Sequence, residues 1–540
     1  MGNTGDSKRK PMCRSVWLRR QRAKTKHDGS RVSLSTTKGA LCQQNDTLEV
    51  AENSVPLIEL DKFPEDILHH IHSQLPLRDA ARAACVSHRF LRSWRRYPNL
   101  TFNWEAFGLN MNERTEYGRA KKLVNIIHTI LENHSGTGVK TLKLQARPCG
   151  SVITSNQLDI WLQAAIKSGI VELAMDLPRD YGLNFNFPCS LLSCAASSLQ
   201  SLSLSSCAFC STLTIDCLSN LKKVCLTVVR ITDEQLGCLF SCAMSLEKLE
   251  LSQCDGITFL KIPSHLQQLN FLRVFLCRNL QMIEIYAPKV STFLFMGPPM
   301  KISISNASQM KSMSMNGELY SGMFHYALTK LHSIASNLQT LVLVSSKEVV
   351  DMPSQTSKFL HLKHLKIYCA EIKCFDFCSL VSFLKVCPAL EHFFLSAGGP
   401  YIVPQDSNLE DYSADSSLIR NVPDFHLDRL KKVTIVGFCS SRSLIKLTCQ
   451  IIEASSSLQR LVMDTTSGYG NSGICENMDR KATMEALRGV EAIKKYVKGK
   501  VPSRVSLEVL EPCDRCHIPK LKMSNPRDFG AMRLIPNSQT

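Results

Sequence analysis

The sequence has no long apolar run, and this absence excludes a membrane-spanning helix. Its most apolar stretch, residues 378–395, is interrupted by Lys385, Pro388 and Glu391, so it is too polar to cross a hydrocarbon layer about 30 Å thick. The first residues contain no apolar core typical of a secretory signal. We therefore expect the 23 cysteines to be reduced and to serve as small buried side chains, not as a disulfide framework.

Signatures of catalysis are also missing. The chain contains no P-loop, no H-E-x-x-H, no G-x-S-x-G and no kinase motif, so we expect a protein that binds and does not catalyse. Residues 468–473 fit the G-x-G-x-x-G spacing, but residues 464–467 separate them from the preceding strand and no second βαβ unit follows. They predict no dinucleotide site.

Cys513, Cys516 and His517 match a haem-attachment motif and half of a zinc site. Haem attachment of this kind needs an export context, and zinc needs two further ligands nearby. We expect no cofactor and no bound metal, and a structural role for these cysteines.

Acidic residues are scarce near the start of the chain. Residues 1–40 hold eleven Lys or Arg against Asp6 and Asp28, a balance of 11 − 2 = +9 out of a formal charge of +17 for the whole chain. Residues 1–55 are polar without apolar periodicity, which predicts disorder. This basic leader is typical of a two-part nuclear address or a weak polyanion contact, and a solvated tail explains it equally.

One pattern, in which the first, fourth and sixth residues are apolar, occurs thirteen times between Val139 and Met463. Successive copies start 20 to 31 residues apart with one gap of 40, a period typical of leucine-rich repeats, which stack because each unit is too small to fold alone. Cys207 and Cys254 fall at the turn position where such repeats often place Asn or Cys. The copies begin at Val139, Ile170, Leu199, Leu221, Leu246, Leu269, Val290, Met310, Leu338, Leu362, Leu390, Leu430 and Leu458.

A different, helical pattern precedes the repeats. Pro64 suits a first helical position, Pro76 ends that helix, and Ser87 is placed to cap a third short helix. Three short helices bury too little surface to be stable alone, which suggests a module completed by a partner. The fold class we predict is therefore α/β: a small helical module followed by a leucine-rich-repeat solenoid with a curved parallel sheet and a helical or irregular convex side.

These patterns divide the chain into segments. We predict a disordered basic leader over 1–55, the helical module over 56–104, a helical linker or cap over 105–135, the solenoid over 136–475 with a loop insertion at 398–424, a C-terminal cap over 476–520 and a tail over 521–540. Within the C-terminal cap we expect a helix over about 478–497 and a strand over 505–510.

The helical module resembles an F-box. The resemblance lies in residues 60–68, in Leu75-Pro76-Leu77 and in the stretch from Ala84 to Phe90 with Trp94. With repeats downstream, the chain is similar to plant F-box/LRR proteins over roughly residues 56–520. The resemblance implies the substrate receptor of an SCF-type (cullin-RING) ubiquitin ligase, located in the nucleus or cytoplasm, whose F-box docks on a Skp-type adaptor and through it on a cullin.

Contact residues for the adaptor follow from this resemblance and from the apolar helix face together. The same side chains can instead form the module's own core, and some must do so. The adaptor-binding set is Pro64, Ile67, Leu68, Ile71, Leu75, Pro76, Leu77, Val86 and Phe90.

Alternation within the strands places the residues between the apolar positions on the concave face of the solenoid. Exposed aromatic and basic residues in the later repeats favour target binding there, unless flanking loops or the C-terminal helix cover them. The residues are Arg273, Phe275, His364, Lys366, Tyr368, His392, Phe394, Lys432 and Arg460.

A protein target is the partner we expect, with no membrane contact and no nucleic acid. The alternative is an LRR binding or scaffold protein without ligase function, which contacts a ligand or nucleic acid through the leader and the concave face.

Overall fold

A computed structural model describes the chain from Phe63 to Cys513 with internal gaps. The described residues are 63–109, 115–135, 138–146, 152–166, 169–179, 185–195, 197–209, 218–345, 358–369, 376–398, 425–466, 478 and 480–513. Contacts divide the chain after Asp61 into two units, and the described residues all belong to the second. The basic leader, the insertion after residue 398, the 468–473 glycines, Cys516 and His517 lie outside the described residues.

Parallel strands dominate the fold. The described residues contain twenty strands: β1 (Asn99–Phe102), β2 (Thr141–Gln145), β3 (Glu172–Asp176), β4 (Asn186–Phe187), β5 (Ser201–Ser205), β6 (Ala208–Phe209), β7 (Lys223–Thr227), β8 (Lys248–Ser252), β9 (Phe259–Ile262), β10 (Phe271–Phe275), β11 (Met282–Ile285), β12 (Thr292–Met296), β13 (Lys301–Ile304), β14 (Ser312–Gly317), β15 (Thr340–Ser345), β16 (His364–Cys369), β17 (His392–Ser396), β18 (Lys432–Val436), β19 (Arg460–Asp464) and β20 (Ser506–Leu510).

Fifteen of these strands form one sheet in the order in which they occur along the chain. The order is β1-β2-β3-β5-β7-β8-β10-β12-β14-β15-β16-β17-β18-β19-β20. Thirteen of them, β2 to β19 in this order, are the predicted repeats, and every predicted apolar triple is buried. The predicted fold class is confirmed, because the apolar positions of each strand stack on those of its neighbours, as Leu365 does on Phe393.

Helices precede the strands or lie between them. They are α1 (Glu65–Gln74), α2 (Leu77–Val86), α3 (His88–Trp94), α4 (Glu116–Asn133), α5 (Ser155–Ala165), α6 (Ser190–Cys194), α7 (Asp233–Cys242), α8 (Met323–Tyr326), α9 (His332–Ile334), α10 (Val381–Lys385), α11 (Arg442–Ala454) and α12 (Arg480–Ala492). Helices α5 and α7 begin with capping boxes formed by Thr154 with Gln157 and by Thr232 with Gln235. Within the described ranges, no helix combines the length and the apolar character needed to span a bilayer.

Two features of the repeats were not predicted. Strands β9, β11 and β13 form a second parallel sheet, and β4 pairs with β6.

The other feature is a left-handed residue directly after four of the strands. Its φ lies between 52° and 58°, a conformation that is strained for a branched residue, and the four residues are Ser206, Val228, Gln253 and Leu276. Each N–H still donates to the last strand residue of the next repeat, so these turns continue the ladder.

The chain adds one strand beyond the repeats at each end of the sheet. At the C-terminal end, β20 pairs with β19, and α12 continues into a π-helical turn, Ile493–Val497. At the other end β1 pairs with β2, with Leu100 and Phe102 fully buried. The sequence predicted β20 and α12 but not β1, which follows the helical module directly.

Candidate binding surfaces

The helical module is built around one buried histidine. His72 of α1 is fully buried; its Nδ1 lies 2.9 Å from Ser93 Oγ, and its Nε2 lies 2.9 Å from the Ala80 carbonyl oxygen. The rings of Phe90 and Tyr97 pack against it at 5.1 and 5.7 Å. Because burial disfavours the charged imidazole, the pKa of His72 is lowered from its ordinary value, and the neutral ring donates to Ala80 and accepts from Ser93.

A cap starts α3, and an exposed ion pair links it to α1. Ser87 Oγ accepts from the Arg89 and Phe90 amides, 3.3 and 3.5 Å away, as predicted for the third helix. An ion pair of 3.1 Å joins Arg92 of α3 to Glu65 of α1. The module thus has a defined outer surface formed by α1 and α3.

The structure divides the predicted adaptor-binding set into surface and core. Pro64, Pro76, Ile67 and Ile71 are exposed, the two isoleucines by 42% and 40%, and Leu75 is half-buried. The side chain of Val86 lies outside the described residues.

Three residues of the set require a correction. Leu68, Leu77 and Phe90 are 3%, 5% and 7% exposed, so they belong to the module's own core and offer no surface to a partner. Helical geometry explains the division on α1, because Leu68 lies on its inner face while Ile67 and Ile71 lie on its outer side.

Leu91 of α3 was missed as a surface residue. It is 36% exposed and joins the exposed apolar residues of the module. The sequence did indicate this, because Leu91 is apolar but lies on a different face of α3 from the buried Phe90 and Trp94.

The inner side of the module is covered by this chain and not by a partner. Leu77, Ala80, Trp94 and Tyr97 belong to the same continuous hydrophobic core as the repeats. This corrects the expectation that a partner completes the module: β1 and the first repeat do so. The outer surface of α1 and α3 stays open to a partner.

The second surface is one face of the fifteen-stranded sheet. We call it the open face: the side chains at the first, third and fifth positions of each strand, which are mostly half-buried or exposed. The second and fourth positions are buried in every strand of this sheet except β20, where they are half-buried. All nine residues predicted for target binding lie on it, as strand alternation requires.

The sheet order separates these nine residues into two groups. Arg273 and Phe275 lie on β10, and the other seven lie on the adjacent strands β16 to β19. Three strands intervene, so four steps of about 4.8 Å place the groups about 19 Å apart. They form two contact areas and not one.

The β10 group is held by ion pairs. Glu250 Oε2 lies 3.2 Å from Arg273, and Glu250 Oε1 lies 2.8 Å from Lys248. Burial raises the pKa of the Glu250 carboxyl, but the hydrogen bond and charge of Lys248 and the charge of Arg273 outweigh it, so the pKa is lowered overall. The Arg273 guanidinium also lies 4.6 Å from the centre of the Phe275 ring.

The β16–β19 group combines rings and cations. His364 and His392 stack with their rings 4.8 Å apart and 11° from parallel, and Tyr368 packs on Phe394 at 5.2 Å. Register places Lys432 beside His392 on the next strand. Burial, and next the charge of His392, lower the pKa of His364. This area can receive a negative group and an apolar one side by side.

Comparison with known families identifies the two domains. The model described as F-box domain matches residues 60–102, which include α1 to β1, and the model described as At1g61320/AtMIF1, LRR domain matches residues 130–514, well over half of the chain. The chain belongs to the F-box/LRR family. Proteins of this family are generally non-catalytic adaptors, and the two domains indicate an F-box substrate-adaptor role.

Relatives of this F-box/LRR protein are found in Arabidopsis thaliana. The FBD-associated F-box protein At1g61330 is 21% identical over 449 residues, which cover 78% of this chain and 94% of the relative. The F-box/LRR-repeat protein At3g18150 is 25% identical over 263 residues, 48% of this chain and 52% of the relative. Among solved structures, an internalin from Listeria monocytogenes matches with a TM-score of 0.28 and 12% identity over 63% of this chain and 88% of its own.

Neither surface of the F-box/LRR protein is arranged for metal chemistry. Across the described ranges, no group of three or more His, Cys, Asp or Glu side chains is placed to hold a metal ion. Burial, and next the charge of Cys189, raise the pKa of Cys207 to about 12, so this thiol stays neutral. Cys207 and Cys254 are fully buried at their predicted turn positions, and the Cys254 thiol donates to the Leu226 carbonyl.

Proposed function

We propose that this F-box/LRR protein is the substrate-recognition subunit of an SCF-type cullin-RING ubiquitin ligase. In this proposal the outer surface of α1 and α3 docks on a Skp-type adaptor, which links the chain to a cullin, and the open face binds the target protein. The chain acts by holding the target near the ligase, so it needs no catalytic residue of its own. A nuclear or cytoplasmic location is part of the proposal.

One observation carries the proposal: the F-box module exposes Ile67 and Ile71 on α1 while its inner side is closed by the chain itself. Exposed isoleucines on consecutive helical turns are the kind of anchor that a partner groove accepts. Burying the exposed part of each side chain contributes on the order of 1 kcal/mol. A stable module with an apolar outer ridge is suited to dock on another protein.

Co-purification tests the adaptor half of the proposal. The full chain and the double variant Ile67→Asp/Ile71→Asp are each mixed with a Skp-type adaptor and a cullin. We expect the double variant to bind the adaptor at least about thirtyfold more weakly, since two apolar contacts of about 1 kcal/mol are lost and two charges oppose burial. Both substituted positions are about 40% exposed, and an unfolding midpoint equal to that of the unmodified chain shows that the fold is retained.

The matched control is Leu319→Asp, at a 65% exposed leucine outside the module, which we expect to leave adaptor binding unchanged. Leu68→Asp is not a suitable test, because a buried charge at this position unfolds the module. Adaptor capture that survives the Ile67/Ile71 double substitution contradicts the proposed docking surface. If the unmodified chain captures no adaptor, the alternative of a binding protein without ligase function is favoured.

A further inference from the structure

Four of the seven lysines and arginines on the open face are paired with a carboxylate on the same face. Lys143 Nζ lies 2.8 Å from the Glu172 carboxylate, across β2 and β3. Lys248 and Arg273 share Glu250, and Arg460 pairs with the Glu508 carboxylate across β19 and β20. Ion pairs of this kind leave little net charge for a partner to use.

Strands β16 to β18 depart from this rule. None of their open-face positions holds Asp or Glu. Neither Lys366 nor Lys432 has an ion-pair or hydrogen-bond partner among the described residues. The nearby Glu391 precedes β17 and is taken by Lys431 at 2.8 Å and Lys363 at 3.5 Å. The described residues therefore leave the positive charge on this part of the sheet uncompensated.

The two stacked histidines lie between these lysines. His364 shares β16 with Lys366, and His392 is paired in register with Lys432. Adjacent strands lie about 4.8 Å apart and alternate residues about 6.6 Å apart, so the four side chains occupy roughly 10 by 7 Å of sheet. We name His364, Lys366, His392 and Lys432 the cationic patch. Each imidazole supplies an N–H donor and each lysine a full charge, a combination that suits one carboxylate or phosphate group.

An aromatic pair adjoins the cationic patch. Phe394 follows His392 by two residues on β17 and packs against Tyr368 of β16. In an extended peptide, alternate side chains are about 6.6 Å apart, the same spacing as from His392 to Phe394. A charged side chain on the patch therefore brings a second side chain of the same peptide onto the rings.

We propose that the cationic patch binds an anionic side chain of the target protein, either a carboxylate or a phosphorylated hydroxyl, and that Tyr368 and Phe394 bind an apolar side chain next to it. The proposal rests on the proposed function, because it uses the open face for target binding. It goes further by naming the recognised chemistry: an acidic segment with an adjacent apolar residue. Charge complementarity selects this occupant over a basic or neutral one.

The inference is tested by measuring how tightly the purified full chain binds a set of peptides that differ at two positions. The central residue of each peptide is Glu, phosphoserine, Lys or Ala, and the residue two positions away is Leu or Ser. We expect peptides with Glu or phosphoserine to bind about tenfold or more tightly than those with Lys, and Leu to be preferred to Ser. The Glu and phosphoserine arms distinguish the two sources of negative charge.

The double variant Lys366→Glu/Lys432→Glu is expected to lose the preference for anionic peptides. Its matched control is Lys301→Glu/Lys330→Glu, which makes the same charge change at exposed lysines outside the fifteen-stranded sheet and should keep the preference. Equal thermal unfolding midpoints for the two variants show that both are folded. Phe394→Ser should lose the preference for Leu over Ser but keep the preference for anionic peptides.

Three results would overturn the inference: no preference for negative over positive peptides, a preference that the patch variant retains, or binding of single-stranded RNA but of no anionic peptide. Adaptor capture separates this inference from the proposed function. If the patch variant captures adaptor normally but the unmodified chain shows no peptide preference, the patch inference fails alone. If peptides bind as expected but no adaptor is captured, the proposed function fails alone.

Discussion

Replacement of two helical glycines by alanine should have opposite effects on stability. Gly237 in α7 is exposed, and an added Cβ would meet no atom within 4 Å. Gly489 in α12 is buried, and its added Cβ would lie 2.8 Å from the backbone oxygen of Phe438. Both changes are the same chemically, so the difference between them measures how tightly α12 packs on the turn after β18.

The expected change in the free energy of unfolding combines two opposing effects, helix propensity and overpacking. Alanine is favoured over glycine in a helix interior by about 1 kcal/mol, which applies at both positions. Overpacking costs about 1 to 3 kcal/mol and applies only at Gly489. The helix cannot move away freely, because Glu485 accepts hydrogen bonds from the Ser440 amide and hydroxyl at 2.8 and 2.7 Å. We expect a gain of about 1 kcal/mol for Gly237→Ala and a net loss of about 1 kcal/mol for Gly489→Ala.

Amide hydrogen exchange followed by mass spectrometry is the suitable assay, because stacked repeats open locally as well as globally. We expect residues 480–492 to exchange about fivefold faster in Gly489→Ala, and residues 233–242 about fivefold slower in Gly237→Ala. Strand β15, four steps from β8 and four steps from β19 in the sheet order, is the internal reference. If Gly489→Ala protects α12 as well as the unmodified chain does, the close packing argued for this helix is wrong.

Three further changes test the F-box module and one repeat. The pKa of His72 is lowered by burial, so the unfolded chain binds a proton more readily and stability is lost as the pH falls through about 6.5. Urea unfolding from pH 7.5 to 5.5 measures the difference in free energy of unfolding between the unmodified chain and His72→Gln, and we expect this difference to decrease. A constant difference would refute the role of this imidazole. Ser87→Ala removes the cap of α3 and should cost about 1 kcal/mol in the same assay, whereas Ser87→Asp should cost less. Asp233 accepts hydrogen bonds from the Thr258 amide and hydroxyl at 2.8 and 2.6 Å. We therefore expect Asp233→Ala to lower the free energy of unfolding by about 2 kcal/mol and to speed hydrogen exchange in β9, with Asp233→Asn intermediate. Unchanged exchange in β9 would contradict a role of Asp233 in holding α7 and β9 together.

The repeat array could be predicted from the sequence because it depends on patterns within each strand and on contacts between neighbouring repeats. A strand alternates its side chains, and a repeat contacts mainly its two neighbours, so apolar spacing and period were sufficient to place thirteen strands. The same alternation placed residues such as Lys366 and Phe394 on the open face. The second sheet of β9, β11 and β13 was missed because its strands are four residues long and lie between the stronger repeat signals.

The contact sets could be predicted only in part. Ile67 and Leu68 are neighbours of similar chemistry, and which one is exposed depends on where α3 packs against α1. The position of His72 at the centre of the module has the same origin, because its partners Ala80 and Ser93 come from other helices. Long-range packing decided which apolar residues remain for a partner.

Composition and periodicity by themselves determined that this chain is an array of stacked parallel strands preceded by a small helical module, because both depend on interactions between residues close in sequence. The tertiary structure alone decided that the module shares the core of the repeats through β1 and that Lys366 and Lys432 have no acidic neighbour to pair with among the described residues. The repeat period already aligns His364 with His392, but the stacking of their rings 4.8 Å apart depends on side-chain packing in the folded sheet.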